Sequence, residues 1–119
     1  MKFSESHEWI VLEGSVARVG ISKYAQGELG EIVHIQLPEI GSQVTMGEEV
    51  AILESTKSAV DIYSPVSGTI VQVNEKLQNE PGIINKDPES AGWLYKIALS
   101  ELSELDSLLS FEQYFEKIS

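Results

Sequence analysis

Lys57 is the single cation between Gly47 and Pro65, ten residues after the first glycine of that stretch and eleven before Gly68. It stands in Glu54-Ser55-Thr56-Lys57-Ser58-Ala59, between Val50-Ala51-Ile52-Leu53 and Val60-Asp61-Ile62-Tyr63. The flexible stem of a lysine ends in one modifiable amine, and the small residues around this one leave room for an enzyme that would extend it. A long acyl-amide arm on a rigid tip would bring its cargo to several partner active sites at high effective concentration. A cofactor attached there would also carry the hard chemistry in place of the protein. An unmodified lysine at a solvated turn satisfies the same spacing, and the residues alone leave both readings open.

The remaining residues exclude most other chemistry. The absence of cysteine removes disulfides, thiolate nucleophiles and thiolate metal sites together. The two histidines, His7 and His34, are too few for a zinc centre at any recognisable spacing, and His34 reads as a structural or surface histidine in a strand. No glycine-rich phosphate cradle of either common pattern occurs. Carboxylates are so abundant that no pair of them marks an acid–base dyad. Trp9 and Trp93 read as core anchors. No catalytic residue and no metal ligand is therefore assigned.

Eight Lys and Arg against nineteen Asp and Glu give a net charge of −11, which argues against nucleic acid and against an anionic membrane surface. A chain of 119 residues with 42% hydrophobic and 23% charged positions suits one globular domain spanning 1–119, burying about two-thirds of its unfolded surface. No apolar run approaches membrane-spanning length, and the start of the chain resembles neither a signal nor a transit peptide, so the expected location is the cytoplasm.

The elements that would position Lys57 are mostly short strands punctuated by glycine. Trp9–Leu12 and Ser15–Gly20 form two strands about a turn at Gly14. Ser22 caps a helix of a turn or two, limited by Gly27 and Gly30. Ile32–Leu37 is a strand ended by Pro38, and the arms around Lys57 form a hairpin with Val50, Ile52, Val60 and Ile62 facing inward. Residues 74–92, rich in Asn, Gly and Pro, read as loop. Trp93–Leu99 is the last strand. Ser110 opens a terminal helix through a capping box with Gln113, and Phe111, Tyr114, Phe115 and Ile118 give it one apolar face that packs on the β body.

The run from Glu54 to Gly68 resembles the lipoylation segment of the glycine cleavage system H protein family. The resemblance extends over nearly the whole chain: His7-Glu8-Trp9, Gly20-Ile21-Ser22, Tyr24-Ala25-Gln26, Leu29-Gly30-Glu31-Ile32-Val33, Leu37-Pro38-Glu39, Pro81-Gly82-Ile83-Ile84-Asn85, Gly92-Trp93-Leu94 and Ser103-Glu104-Leu105 follow in order. The chain departs from the family pattern at Ser58, where alanine is commoner, at Glu28, where some relatives carry a histidine, and after Pro88, where an aromatic is usual.

The resemblance implies a mainly β barrel-sandwich hybrid of the lipoyl/biotinyl carrier type, with a short internal helix and a C-terminal helix. It implies lipoic acid in amide linkage to Lys57, Glu8 and Asp61 as docking residues for the loaded arm, and Glu54 and Gly68 as positions presented to lipoyl-attaching enzymes. A non-catalytic carrier of this kind shuttles the aminomethyl group of glycine from the pyridoxal-phosphate glycine decarboxylase (P protein) to the tetrahydrofolate-dependent aminomethyltransferase (T protein). Dihydrolipoyl dehydrogenase (L protein) then reoxidises the arm. Presenting one tip to several enzymes favours a monomer. Biotin is disfavoured by Thr56 and Ser58, since biotin sites typically place methionine on both sides of the lysine. An H-like lipoyl-relay protein serving lipoate biosynthesis or protein modification needs the same lysine and is the alternative.

Overall fold

A computed structural model describes residues 1–119. Six strands form the larger antiparallel sheet in the order β1 (Lys2–Phe3), β2 (Glu8–Glu13), β3 (Val16–Ile21), β9 (Tyr95–Leu99), β8 (Gly68–Val73) and β5 (Gln43–Val44). A second sheet of three carries β4 (Ile32–Gln36), β6 (Glu49–Ser55) and β7 (Ala59–Tyr63) in that order. The expected mainly β carrier fold is what forms. Gly14, at φ +71°, makes the two-residue turn that pairs Glu13 with Val16, a conformation with little steric cost for glycine. No helix is long and apolar enough to cross a membrane.

Ile10, Val19, Ile70 and Ile97 from the larger sheet meet Ile32, Ile35, Leu53 and Ile62 from the smaller one in a single core. A smaller cluster of Phe3, Trp9 and Tyr114 lies under the C-terminal helix α4 (Phe111–Ile118). Trp9 is the anchor expected, fully buried with its indole N–H donating to the Pro88 carbonyl at 2.8 Å. Trp93 is only half-buried, with the Lys96 ammonium 5.3 Å from its ring centroid.

The internal helix α1 (Lys23–Leu29) is the two-turn helix expected, capped by Ser22 and ended at Gly30, whose N–H donates to the Gln26 carbonyl. Several other expectations need correction. Residues 74–92 are not all loop: they hold α2 (Lys76–Asn79) and α3 (Gly82–Lys86), short turns stabilised by burying Leu77 and Ile84. In the hairpin, a bulge between Glu49 and Ala51 advances the register, so Val50, Ala51 and Leu53 are buried while Ile52 is only half-buried. Val60 is likewise half-buried and Ile62 buried. On α4 the capping box forms and Tyr114 is buried, but Phe111 and Phe115 are exposed and stack on each other at 5.9 Å. Phe111 still pairs with Phe3 of β1, ring centroids 6.3 Å apart, so the expected apolar face meets the sheet only in part.

Candidate functional site

The hairpin of β6 and β7 turns at residues 55–58 on hydrogen bonds supplied by one serine. Ser55 Oγ accepts from the backbone N–H groups of Lys57 (3.1 Å) and Ser58 (3.2 Å), and the Ser55 N–H donates to the Ser58 carbonyl at 2.8 Å. A short hydroxyl side chain that satisfies local backbone donors is suited to such a tip. The tip is tied to the rest of the fold by the Thr56 N–H, which donates to the Glu31 carbonyl at 3.0 Å.

Lys57 is exposed at this apex, as its spacing predicts. Its stem crosses Gly30: a Cβ added there would stand 3.4 Å from Lys57 Cε and 3.7 Å from Nζ. Gly30 also has φ +83°, so the residue ending α1 both turns the chain and leaves a lane for the lysine. Asn85, on α3, fixes that turn by donating to the Ile32 carbonyl (3.0 Å) and accepting from the Ile32 N–H (2.8 Å).

Beside the lysine lies a cleft of about 380 Å³ between α1 and β7, with Tyr24, Ala25, Glu28 and Leu29 on one wall and Val60–Tyr63 on the other. Ser6, His7, Glu8 and Ile21 complete its lining. Glu8 and Asp61 both line this cleft, Asp61 exposed along the β7 wall and Glu8 only 2% exposed, while Lys57 stands outside the lining with its stem against Gly30.

Burial pushes the Glu8 carboxyl above its ordinary range, while the hydroxyls of Ser4 and Ser6 and the backbone of Tyr63 pull it down. Both serines donate to Glu8 Oε1 at 2.6 Å, and the Glu8 N–H donates back to Ser4 Oγ at 3.0 Å. The two serines were not singled out by sequence reasoning, although a hydroxyl, hydroxyl, carboxylate series at every second position was there to be read. A desolvated carboxylate against apolar walls is a receptor for a cation, since attraction strengthens as water is excluded. Across the cleft, Glu28 beside Tyr24 pushes that phenol up.

The other two proposed site residues lie elsewhere. Glu54 is exposed on β6, with its carboxylate 3.7 Å from His34 Nδ1 on β4, which makes His34 a surface residue. Gly68 is buried at the start of β8, paired with Leu99 on one side and Val44 on the other, where a Cβ would stand 2.1 Å from the Ala98 carbonyl oxygen. Packing alone therefore requires glycine at 68.

Comparison with known proteins bears on this arrangement. A family model described as "Glycine cleavage H-protein" matches residues 1–119. The chain is 51% identical over 115 residues to the glycine cleavage system H protein of Thermotoga maritima, covering 97% of this chain and 93% of that one. It is 54% identical to that of Coprothermobacter proteolyticus, with 96% and 91% covered. A crystal structure of a glycine cleavage system H protein from Mycobacterium marinum superposes with a TM-score of 0.89 at 36% identity, covering 98% of this chain and 94% of the other. The chain belongs to the glycine cleavage H-protein family.

Proposed function

We propose that this chain is the lipoyl carrier of a glycine cleavage system, with lipoic acid in amide linkage to Lys57 Nζ and no catalytic residue of its own. The observation that carries the reading is the exposed hairpin lysine whose stem packs against Gly30, the residue that follows Leu29 in the wall of a cleft lined by Glu8 and Asp61. The residues present fit such a group: Ile21, Leu29, Val60 and Ile62 offer apolar wall to an alkyl chain, and Glu8 and Asp61 offer negative charge to an amine. When bound, the lipoyl group supplies a dithiol–disulfide pair able to hold the aminomethyl cargo and pass two electrons.

The chain's own residues do the rest. Ser55 and Thr56 hold the tip, so the amine of Lys57 is presented to lipoyl-attaching enzymes from a fixed platform. Glu54, three residues earlier and exposed, is available to the same enzymes; Gly68 would act through the strand it lets form. Glu8, steadied by Ser4 and Ser6, and Asp61 hold a protonated amine out of bulk water. The carrier works as a monomer in the cytoplasm, serving glycine decarboxylase (P protein), aminomethyltransferase (T protein) and dihydrolipoyl dehydrogenase (L protein) in turn. The lipoyl-relay alternative is not favoured, because the relatives quoted above are named for glycine cleavage.

Intact mass of protein made in a lipoylating host should show one added lipoyl group, lost in Lys57→Arg. A modification that persists on the variant would sink the assignment.

A further inference from the structure

The segment that carries His7 and Glu8 into the cleft is fastened to the head of α1 by a side chain outside it. Tyr114 projects from α4 into the molecule, 3% exposed, and its ring stacks on Phe3 at 4.3 Å and 4°. Its hydroxyl lies 2.8 Å from His7 Nδ1 and 2.6 Å from Ser22 Oγ. His7 immediately precedes the buried Glu8 and itself lines the cleft, whereas Ser22 caps α1 by accepting the Ala25 N–H at 3.1 Å. The same two residues are joined through the backbone, the Ser22 N–H donating to the His7 carbonyl at 2.9 Å.

His7 has φ +74°, the one non-glycine residue with positive φ in the chain. Such a conformation costs free energy and persists only where the surroundings over-determine it, and it clusters at functional sites. Here the surroundings are the Tyr114 hydroxyl, the edge-on Tyr114 ring at 5.6 Å and the Tyr24 ring at 5.0 Å. His7 also closes the turn that carries Ser4 and Ser6, its N–H donating to the Ser4 carbonyl at 3.2 Å.

We propose that the Tyr114 hydroxyl is a positioning group for the cleft: it ties His7 on the Glu8 wall to Ser22 at the head of α1, and so fixes the carboxylate relative to the helix. The linkage is independent of the carrier reading; only the statement of what the cleft encloses rests on that reading.

The test is Tyr114→Phe, which keeps the ring on Phe3 and removes only the hydroxyl. Amide hydrogen exchange by NMR is read on the full chain made without lipoate. Loss of the hydroxyl's two hydrogen bonds should speed exchange at the Ser22 and Ala25 N–H groups at least about tenfold, with Ile70 and Ile97 in the larger sheet unchanged. His7→Gly, which tolerates the positive φ but lacks the imidazole, should produce the same local loosening. Because both variants remove the His7–Tyr114 bond, the double variant should speed exchange at Ser22 by less than the two single effects combined. Phe115→Ala, on the exposed face of α4, should change nothing at Ser22. Unchanged exchange in Tyr114→Phe, additive effects in the double variant, or a uniform rise across both sheets would each overturn the proposal. An unmodified Lys57 would defeat the carrier reading and leave this result standing.

Discussion

Gly68→Ala separates a packing role from a recognition role at one position. The added methyl would stand 2.1 Å from the Ala98 carbonyl oxygen and 2.9 Å from both the Ala98 carbonyl carbon and Ile97 Cγ1. Two of these three contacts are backbone, and β8 is paired on both sides here, to Val44 and to Leu99, so no flexible side chain can yield. Overpacking a tight core typically costs about 1–3 kcal/mol, and a clash with a ladder carbonyl belongs at the upper end, about 3 kcal/mol. At about 4 °C per kcal/mol for a chain of this length, the melting temperature should fall by about 12 °C. Thermal unfolding followed by circular dichroism measures this, and the lipoylation rate is read in parallel well below the lowered transition. Attachment should proceed at close to the parental rate on the folded variant. A melting point within about 2 °C of the parent would refute the clash. Normal stability with lost attachment would move Gly68 into the enzyme's footprint.

The bulge in β6 predicts that Leu53→Ala costs about 2–5 kcal/mol while Ile52→Ala, half-buried, costs about 1 kcal/mol; equal costs in denaturant titration would show the phase is misassigned. For Glu8 the raised carboxyl sets the sign. Its contribution to folding is fully present below the ordinary value of 4.5 and is lost as pH rises through the higher folded value. Unfolding measured from pH 4 to 7 should therefore show a stability decrease that Glu8→Gln flattens, and a 13C titration midpoint for Glu8 at or below 4.5 would contradict the burial argument. Attraction for a cationic cargo runs the opposite way and weakens as Glu8 takes up its proton.

What could be read from the sequence was local. Alternating Val and Ile around a polar tip marks the hairpin and puts Lys57 at its apex, and Ser110 with Gln113 marks the start of α4, because each signal spans a few residues. Three features escaped for physical reasons. Helices of four and five residues such as α2 and α3 have almost no intrinsic stability, so Leu77 and Ile84 decide them by burial that no window of sequence displays. A single bulged residue reverses the inward phase of β6, which moved Ile52 off the core and Leu53 onto it. The network behind the cleft joins Tyr114 to His7 and Ser22 across 107 and 92 residues, a separation over which composition carries no signal.

The chain ends meet. Phe3 and Leu109 exchange both backbone hydrogen bonds, at 2.8 and 2.7 Å, and Lys117 reaches Glu5 at 2.9 Å. The hairpin bearing Lys57 is complete in the chain by residue 63. The brace behind the cleft must wait for residue 114, and contacts that close so long a loop form late. Every residue lining the cleft lies at or before Tyr63, so the cleft and the brace behind it are written at opposite ends of the chain, and the fastening can close only when the C-terminal helix folds back on the N-terminal strand.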